Sequence, residues 1–249
     1  MAQSPSRKAT PKPTLATLQA AVRTRPNDAR ARHALGVALA MRQQFGQAAA
    51  ELGEAVKLDP AFVEAWSDLA AVQEQLGNFE AARQSYVQAI ERDSQNADLH
   101  ISLGALLHRL QLLDAAAGEF RLAAQLRPAA AEIRTNLGFV LGQMGDLRGS
   151  LREFEEAIRL QPDLAEAHYF LGLGRMMSED LDGGIRALRE ASRLKPKEVD
   201  HLTSFAVALM KRGQAPDLRA AVDALRRAVQ LKPKTAEILT TYGVALRES

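Results

Sequence analysis

The chain has 249 residues, no cysteine and a formal net charge of +2 at pH 7. Without cysteine it has no disulfide, no thiolate nucleophile and no Cys-based zinc site. So even a charge balance, with the basic residues dispersed as Arg on helix faces, does not announce nucleic acid. No run approaches the roughly 20 apolar residues of a membrane span, so membrane insertion is not expected.

Residues 1–13 are polar, basic and proline-rich, and are predicted to be a disordered tail. The stretch Leu15 to Val22 is interrupted by Thr17 and Gln19 and followed by Arg23, which leaves no apolar core for a secretory signal. Further along, Pro26, Pro60, Pro128, Pro162, Pro196 and Pro233 stand at steps of 34, 68, 34, 34 and 37 residues, with Ser94 midway through the long step. A fixed period of this size marks an array of small units rather than one closed core. The units read 29–62, 63–96, 97–130, 131–164, 165–198 and 199–235, after a half unit at 14–28 and before a terminal helix at 236–249. In the sixth unit the surplus of three residues falls in Gly213 to Leu218, and a longer turn is expected there.

A Leu or aromatic residue followed by a small one recurs in each unit: Leu35-Gly36, Leu69-Ala70, Leu103-Gly104, Leu137-Gly138, Leu171-Gly172, Phe205-Ala206 and Tyr242-Gly243. Downstream come a small residue (Ala48, Ala82, Ala116, Ser150, Gly184, Ala221), then a large one (Leu52, Tyr86, Phe120, Phe154, Leu188, Leu225). An Ala follows three positions later (Ala55, Ala89, Ala123, Ala157, Ala191, Ala228). Small residues on one helical face let a second helix approach closely while the large residue fills the space beside them. Two short antiparallel helices per unit follow. Gly77, Gly145 and Gly213 suit the left-handed residue that closes the first helix, whereas Gln43, Gln111 and Glu179 at the same place are expected to strain it. The second helix stops before the punctuating proline.

This pattern over residues 14–249 resembles the tetratricopeptide repeat, down to the opening Trp66 of the second unit. The large position that the family fills with Tyr holds Leu39, Gln73, Leu107, Leu141, Arg175 and Leu209 here. The resemblance implies an all-α, right-handed superhelical solenoid of antiparallel helix pairs, and a non-enzymatic scaffold or adaptor that binds a protein or peptide segment on its concave face. Leu18 and Ala21 in the first half unit, and Leu239, Tyr242 and Leu246 in the last, are placed to cap the ends. Ends that are poorly capped invite self-association by stacking.

Little else in the sequence suggests chemistry. His100 and His168 share one slot two units apart, too far to hold one ion. His108 lies two turns beyond His100, and His33 and His201 are isolated, so all five are expected to pack or to line rims. Asp180-Leu181-Asp182-Gly183 lacks the oxygen donors of a calcium loop, and the carboxylates of Glu153-Phe154-Glu155-Glu156 are expected to point outward. There is no phosphate loop and no Gly-x-Ser-x-Gly. No metal, cofactor or enzymatic activity is predicted.

The family binds partners through the first helices. Carried onto this chain, the ninth positions are Val37, Ala71, Ala105, Phe139, Leu173, Val207 and Val244, an apolar stripe widened by Tyr169, Phe170, Met176, Met177 and Met210, with Met41 at the other end. Met suits an adaptable binding surface. The groove is therefore assigned to Val37, Met41, Asn136, Phe139, Tyr169, Leu173, Met176, Val207 and Met210, and an apolar or amphipathic partner segment is expected in it. Whether Phe170 and Met177 face the groove or pack inward stays open. Second positions form an acidic row (Glu64, Asp98, Glu132, Glu166, Asp200, Glu237) broken by Arg30, which helix dipoles already favour. The Lys and Asn clamp that resembling domains use for acidic chaperone tails is absent, since the matching slots hold His33, Val37, Ser67, Ala71, Ile101 and Ala105. Asn136 matches an Asn that such domains use to bond a partner's backbone. An alternative is the substrate-recruiting arm of a glycosyltransferase or methyltransferase whose catalytic domain would lie beyond Ser249. Composition points to a cytoplasmic, bacterial protein.

Overall fold

A computed structural model describes residues 14–249; the tail predicted for residues 1–13 lies outside them. Among the described residues there are fourteen α-helices and no strand. After α1 (Leu15–Thr24) they alternate as first and second helices of a repeat: α2 (Ala29–Ala40), α3 (Phe45–Leu58), α4 (Val63–Gln75), α5 (Phe79–Arg92), α6 (Ala97–Arg109), α7 (Leu113–Leu126) and α8 (Ala131–Gln143). The series continues with α9 (Leu147–Leu160), α10 (Ala165–Met177), α11 (Leu181–Leu194), α12 (Val199–Arg212), α13 (Ala215–Leu231) and α14 (Ala236–Glu248). The described residues divide into two compact units, 14–106 and 107–249. In the first, α1 packs on α2, and α2 to α5 pack successively; in the second, α7 to α14 do the same.

The recurring small-large-small series forms the core. Ala48, Leu52 and Ala55 in α3, and Ala221, Leu225 and Ala228 in α13, have no exposed surface, and Phe154, Ala157, Leu188 and Ala191 are buried alike. The close approach is literal. A side-chain carbon on Gly36 would come 2.6 Å from Leu52 Cγ, and one on Gly138 2.7 Å from Phe154 Cε1. No larger residue fits there without moving the second helix.

Left-handed residues close the first helices at 34-residue steps: Gln43, Gly77, Gln111, Gly145, Glu179 and Gly213, with φ of 60°, 77°, 61°, 85°, 66° and 70°. In the first five the next residue's N–H donates to the carbonyl five positions back, as Gln44 to Leu39 at 3.0 Å and Asp180 to Arg175 at 2.9 Å. That bond satisfies a carbonyl the helix end would otherwise orphan. The three surplus residues of the sixth unit do not lengthen the turn as expected. They extend the second helix instead: α13 has 17 residues where α11 has 14. Pro216 lies in its first turn, where a missing N–H costs nothing, and Asp217 is pinned there by Arg212 at 2.6 Å through both carboxylate oxygens.

A second regularity is carried by the fourth residue of the first helices. Arg32, Trp66, His100 and His168 each donate a side-chain N–H to the carbonyl six residues earlier, on Pro26, Pro60, Ser94 and Pro162, at 2.7, 3.0, 3.1 and 2.9 Å. Four different side chains thus tie the helix start to the preceding turn, and two of the five histidines are accounted for. The two polar residues in the family's Tyr slot also have partners. Gln73 accepts from Ser85 at 2.8 Å, and Arg175 donates to Glu155 at 2.9 Å. Asp180 caps α11 through Gly183 N–H at 2.9 Å and Asp182 pairs with Arg212. Of the carboxylates expected to point outward, Glu153 is half-buried and bound to Arg134 at 3.0 Å.

Candidate partner-binding face

In the second unit the first helices α8, α10, α12 and α14 touch their nearest counterparts directly, making one continuous face. The sequence-assigned residues of this unit lie along it. Phe139 on α8 meets the ring of Phe170 on α10 at 5.0 Å and the ring of His108 edge-on at 5.4 Å. Tyr169 stacks on the buried His201 of α12 at 4.6 Å, and its hydroxyl is 3.4 Å from Ser204 Oγ. Of the two residues left open, Phe170 turns inward, stacking on the buried Phe154 at 5.7 Å, and Met177 is exposed.

Leu173, Met176 and Val207 come together in one pocket of about 360 Å³, floored by Leu188, Val199 and Ile238. Val207 is 48% exposed although it sits mid-helix. Met210 packs beside this pocket against the same core as Tyr169, Leu173 and Met176. Asp200 and Glu237 of the acidic row stand on the pocket rim, with residues that were not read from the sequence: Thr203, Ser204, Lys232, Thr235 and Thr241. Thr203 and Thr241 spend their hydroxyl protons on the carbonyls of Val199 and Glu237, at 3.0 and 2.9 Å. Their oxygens are left as acceptors. Asp200 and Glu237 carry no ion pair among the described residues, whereas Glu166 in the same row is held by Lys195. The signal that could have revealed the rim is the paired hydroxyls Thr203-Ser204 and Thr240-Thr241, which occupy the fifth and sixth positions of the last two units.

Asn136 is not in this pocket. It is exposed and lines a separate polar hollow of about 480 Å³ with Glu132, Thr135, Gln161, Asp163 and Glu166. In the first unit Val37 and Met41 line a small apolar hollow of about 210 Å³ with Phe45, Leu52 and Ala71. His33 there bonds Asp68 at 2.7 Å and tilts against Phe62. Among the described residues no helix is long and apolar enough to cross a membrane.

A row of helix pairs with one face of half-buried apolar side chains defines a helical-repeat interaction scaffold. The chain belongs to the tetratricopeptide repeat family: one tetratricopeptide repeat model matches residues 15–61, 42–86 and 136–199, and a second TPR repeat model matches 74–111. Comparison with curated proteins gave no significant match. Among solved structures, PilF of Pseudomonas aeruginosa superposes with a TM-score of 0.71 at 20% identity, over 91% of this chain and 100% of that one. PilW, a type IV pilus biogenesis factor, gives 0.70 at 20% identity, over 85% and 97%. YrrB, a TPR protein with an unusual peptide-binding site, gives 0.65 at 22% identity, over 76% and 97%.

Proposed function

We propose that this protein is a non-catalytic adaptor that binds an apolar or amphipathic segment of a partner protein on the first-helix face of its second unit. The observation that carries the reading is the pocket at Leu173, Met176 and Val207. Its floor is apolar, so a large aliphatic or aromatic side chain gains about 25 cal/mol per Å² on entering it. Its rim offers hydroxyl oxygens and two unpaired carboxylates, so the flanks of that side chain are expected to bring donors, Lys or Arg above all. Phe139, Tyr169 and Met210 extend the surface, Asn136 offers a hydrogen bond to a partner backbone, and Val37 and Met41 give the first unit a smaller apolar hollow. Both an amphipathic helix and an extended peptide suit such a surface. The setting proposed for it is the cytoplasm of a bacterium.

A peptide library displayed against the purified chain tests this reading. Selected peptides are expected to share a Leu, Phe or Met next to a basic residue, and Val207→Glu is expected to weaken them at least tenfold while leaving the helix content unchanged. Selection of acidic peptides, or unaltered binding by a folded Val207→Glu chain, overturns the reading.

A further inference from the structure

Two first helices that repeat one another wall the pocket around Val207. Asp200 on α12 and Glu237 on α14 hold the same repeat position, as do Ser204 and Thr241, and all four line the hollow. One unit before Thr203 and Ser204, the same places hold the rings of Tyr169 and Phe170. Short hydroxyl side chains thus stand where the hollow opens.

The charges on the rim are uncommitted. Asp200, Glu237 and Lys232 are exposed and form no ion pair among the described residues, with one another or with any other group, whereas Glu166 and Lys195 hold each other. Each carboxylate is next in sequence to a residue of the apolar floor, Asp200 to Val199 and Glu237 to Ile238. Negative charge therefore borders the floor on both helices. The oxygens of Thr203 and Thr241, whose protons go to helix carbonyls, add acceptors beside it.

Such a rim calls for a cation fixed close to an apolar side chain. A lysine flanking that side chain carries its charge at the end of a flexible four-carbon stem, which turns out toward solvent. The α-ammonium of a chain's first residue has no stem and is held one carbon from the side chain. The hollow, about 360 Å³, is at the small end of ligand cavities, roughly 300–1,000 Å³, as a single terminal residue requires.

We infer, resting on the pocket reading above, that this hollow receives the free N-terminus of a partner chain. The first residue, Leu, Ile, Met or Phe, lays its side chain on the floor, its α-ammonium donates to the Asp200 and Glu237 carboxylates, and Lys232 donates to its carbonyl oxygen. Capture of a chain terminus is one of the recurring modes of peptide recognition. Recognition then depends on a group that each partner chain carries once and that acetylation removes.

Fluorescence anisotropy on the intact chain tests it, with peptides labelled at the carboxy end that begin with Leu, Ile, Met or Phe and continue as Gly-Ser repeats. Each is offered with a free α-amine, N-acetylated, or preceded by two glycines. The free form is expected to bind about tenfold more tightly than the other two, the scale of losing charge-assisted hydrogen bonds. Joint replacement Asp200→Asn and Glu237→Gln is expected to erase that preference with helix content unchanged. Equal binding of free and acetylated forms, no binding by any free form, or a preference that survives the joint replacement overturns the inference. Free leucine that competes as strongly as the peptide overturns it too, by making the ligand an amino acid rather than a chain. Val207→Glu separates the two levels: acetylated peptides that bind equally well and are lost in this variant leave the pocket reading standing, and peptides that bind a folded Val207→Glu chain unaltered overturn both.

Discussion

Tyr169 and His201, on neighbouring first helices, lie nearly parallel, with ring centroids 4.6 Å apart and planes 27° from each other. The His201 Nδ1–H is meanwhile held by the carbonyl of Ala191 at 3.2 Å. The phenol therefore rests on a ring that is itself held in place, and packs against the core of the second unit. Tyr169→Ala is expected to destabilise the second unit by about 2–4 kcal/mol, the range for losing a large packed ring. Tyr169→Phe, which gives up only a long hydroxyl contact, should stay within about 0.5 kcal/mol. Urea unfolding followed by circular dichroism separates the two.

Gly138 tolerates no side chain, because Phe154 Cε1 would be 2.7 Å and Ser150 O 3.1 Å from the new carbon. Gly138→Leu is expected to cost at least the roughly 1–3 kcal/mol of an overpacked core. Gly53 makes the opposite case: it lies inside α3 with nothing within 4 Å. Gly53→Ala is expected to stabilise by about 0.5–1 kcal/mol through helix propensity alone. Equal melting shifts for the two would show that helix contact does not govern these positions.

Gln111 holds φ at 61° in the turn after α6, a conformation that costs a residue with a Cβ about 1–2 kcal/mol. Gln111→Gly is expected to recover about 1 kcal/mol, and Gly77→Ala to lose a similar amount. Thermal unfolding of the two variants checks the sign of each.

The carboxyl of Asp217 is held below the usual carboxylate range, chiefly by the hydrogen bonds from Arg212 and then by its charge. A depressed carboxyl stabilises the fold above its unfolded value, about 3.9, and that stability is lost as pH falls through the lower folded value. Asp217→Asn is therefore expected to melt below the wild type at pH 7, and the gap should narrow once the pH drops beneath about 4. A gap that stays constant down to pH 2 would show that the ion pair contributes nothing there.

The repeat and its core were legible because one physical requirement, a close helix crossing, imposes Gly or Ala at fixed spacing; Gly36 and Ala48 carry that signal in plain residue types. The left-handed turns were equally legible, including the non-glycine ones at Gln43, Gln111 and Glu179. Other features were hidden because chemically different residues do the same work. Arg32, Trp66, His100 and His168 share no property except an N–H at the right reach, so their common bond to the preceding turn has no spelling. The added residues around Pro216 read as a loop because Gly and Pro flank them, but a proline in the first helical turn lengthens α13. The apolar part of the pocket, Leu173 and Val207, followed from position in the repeat. Asp200 and Glu237 on its rim followed from position as well, whereas Lys232 and Thr235 did not, since they come from the turn between α13 and α14 rather than from a first helix.

The residues that close the first helices alternate strictly: Gln43, Gly77, Gln111, Gly145, Glu179, Gly213. Every second corner is thus strained and every other one relaxed, which superimposes a beat of two repeats on a scaffold whose packing beats once per repeat. Amide hydrogen exchange at the corners should follow that beat, fast after Gln43, Gln111 and Glu179 and slower after the glycines. A molecule stretched between its termini would yield at those same three places first.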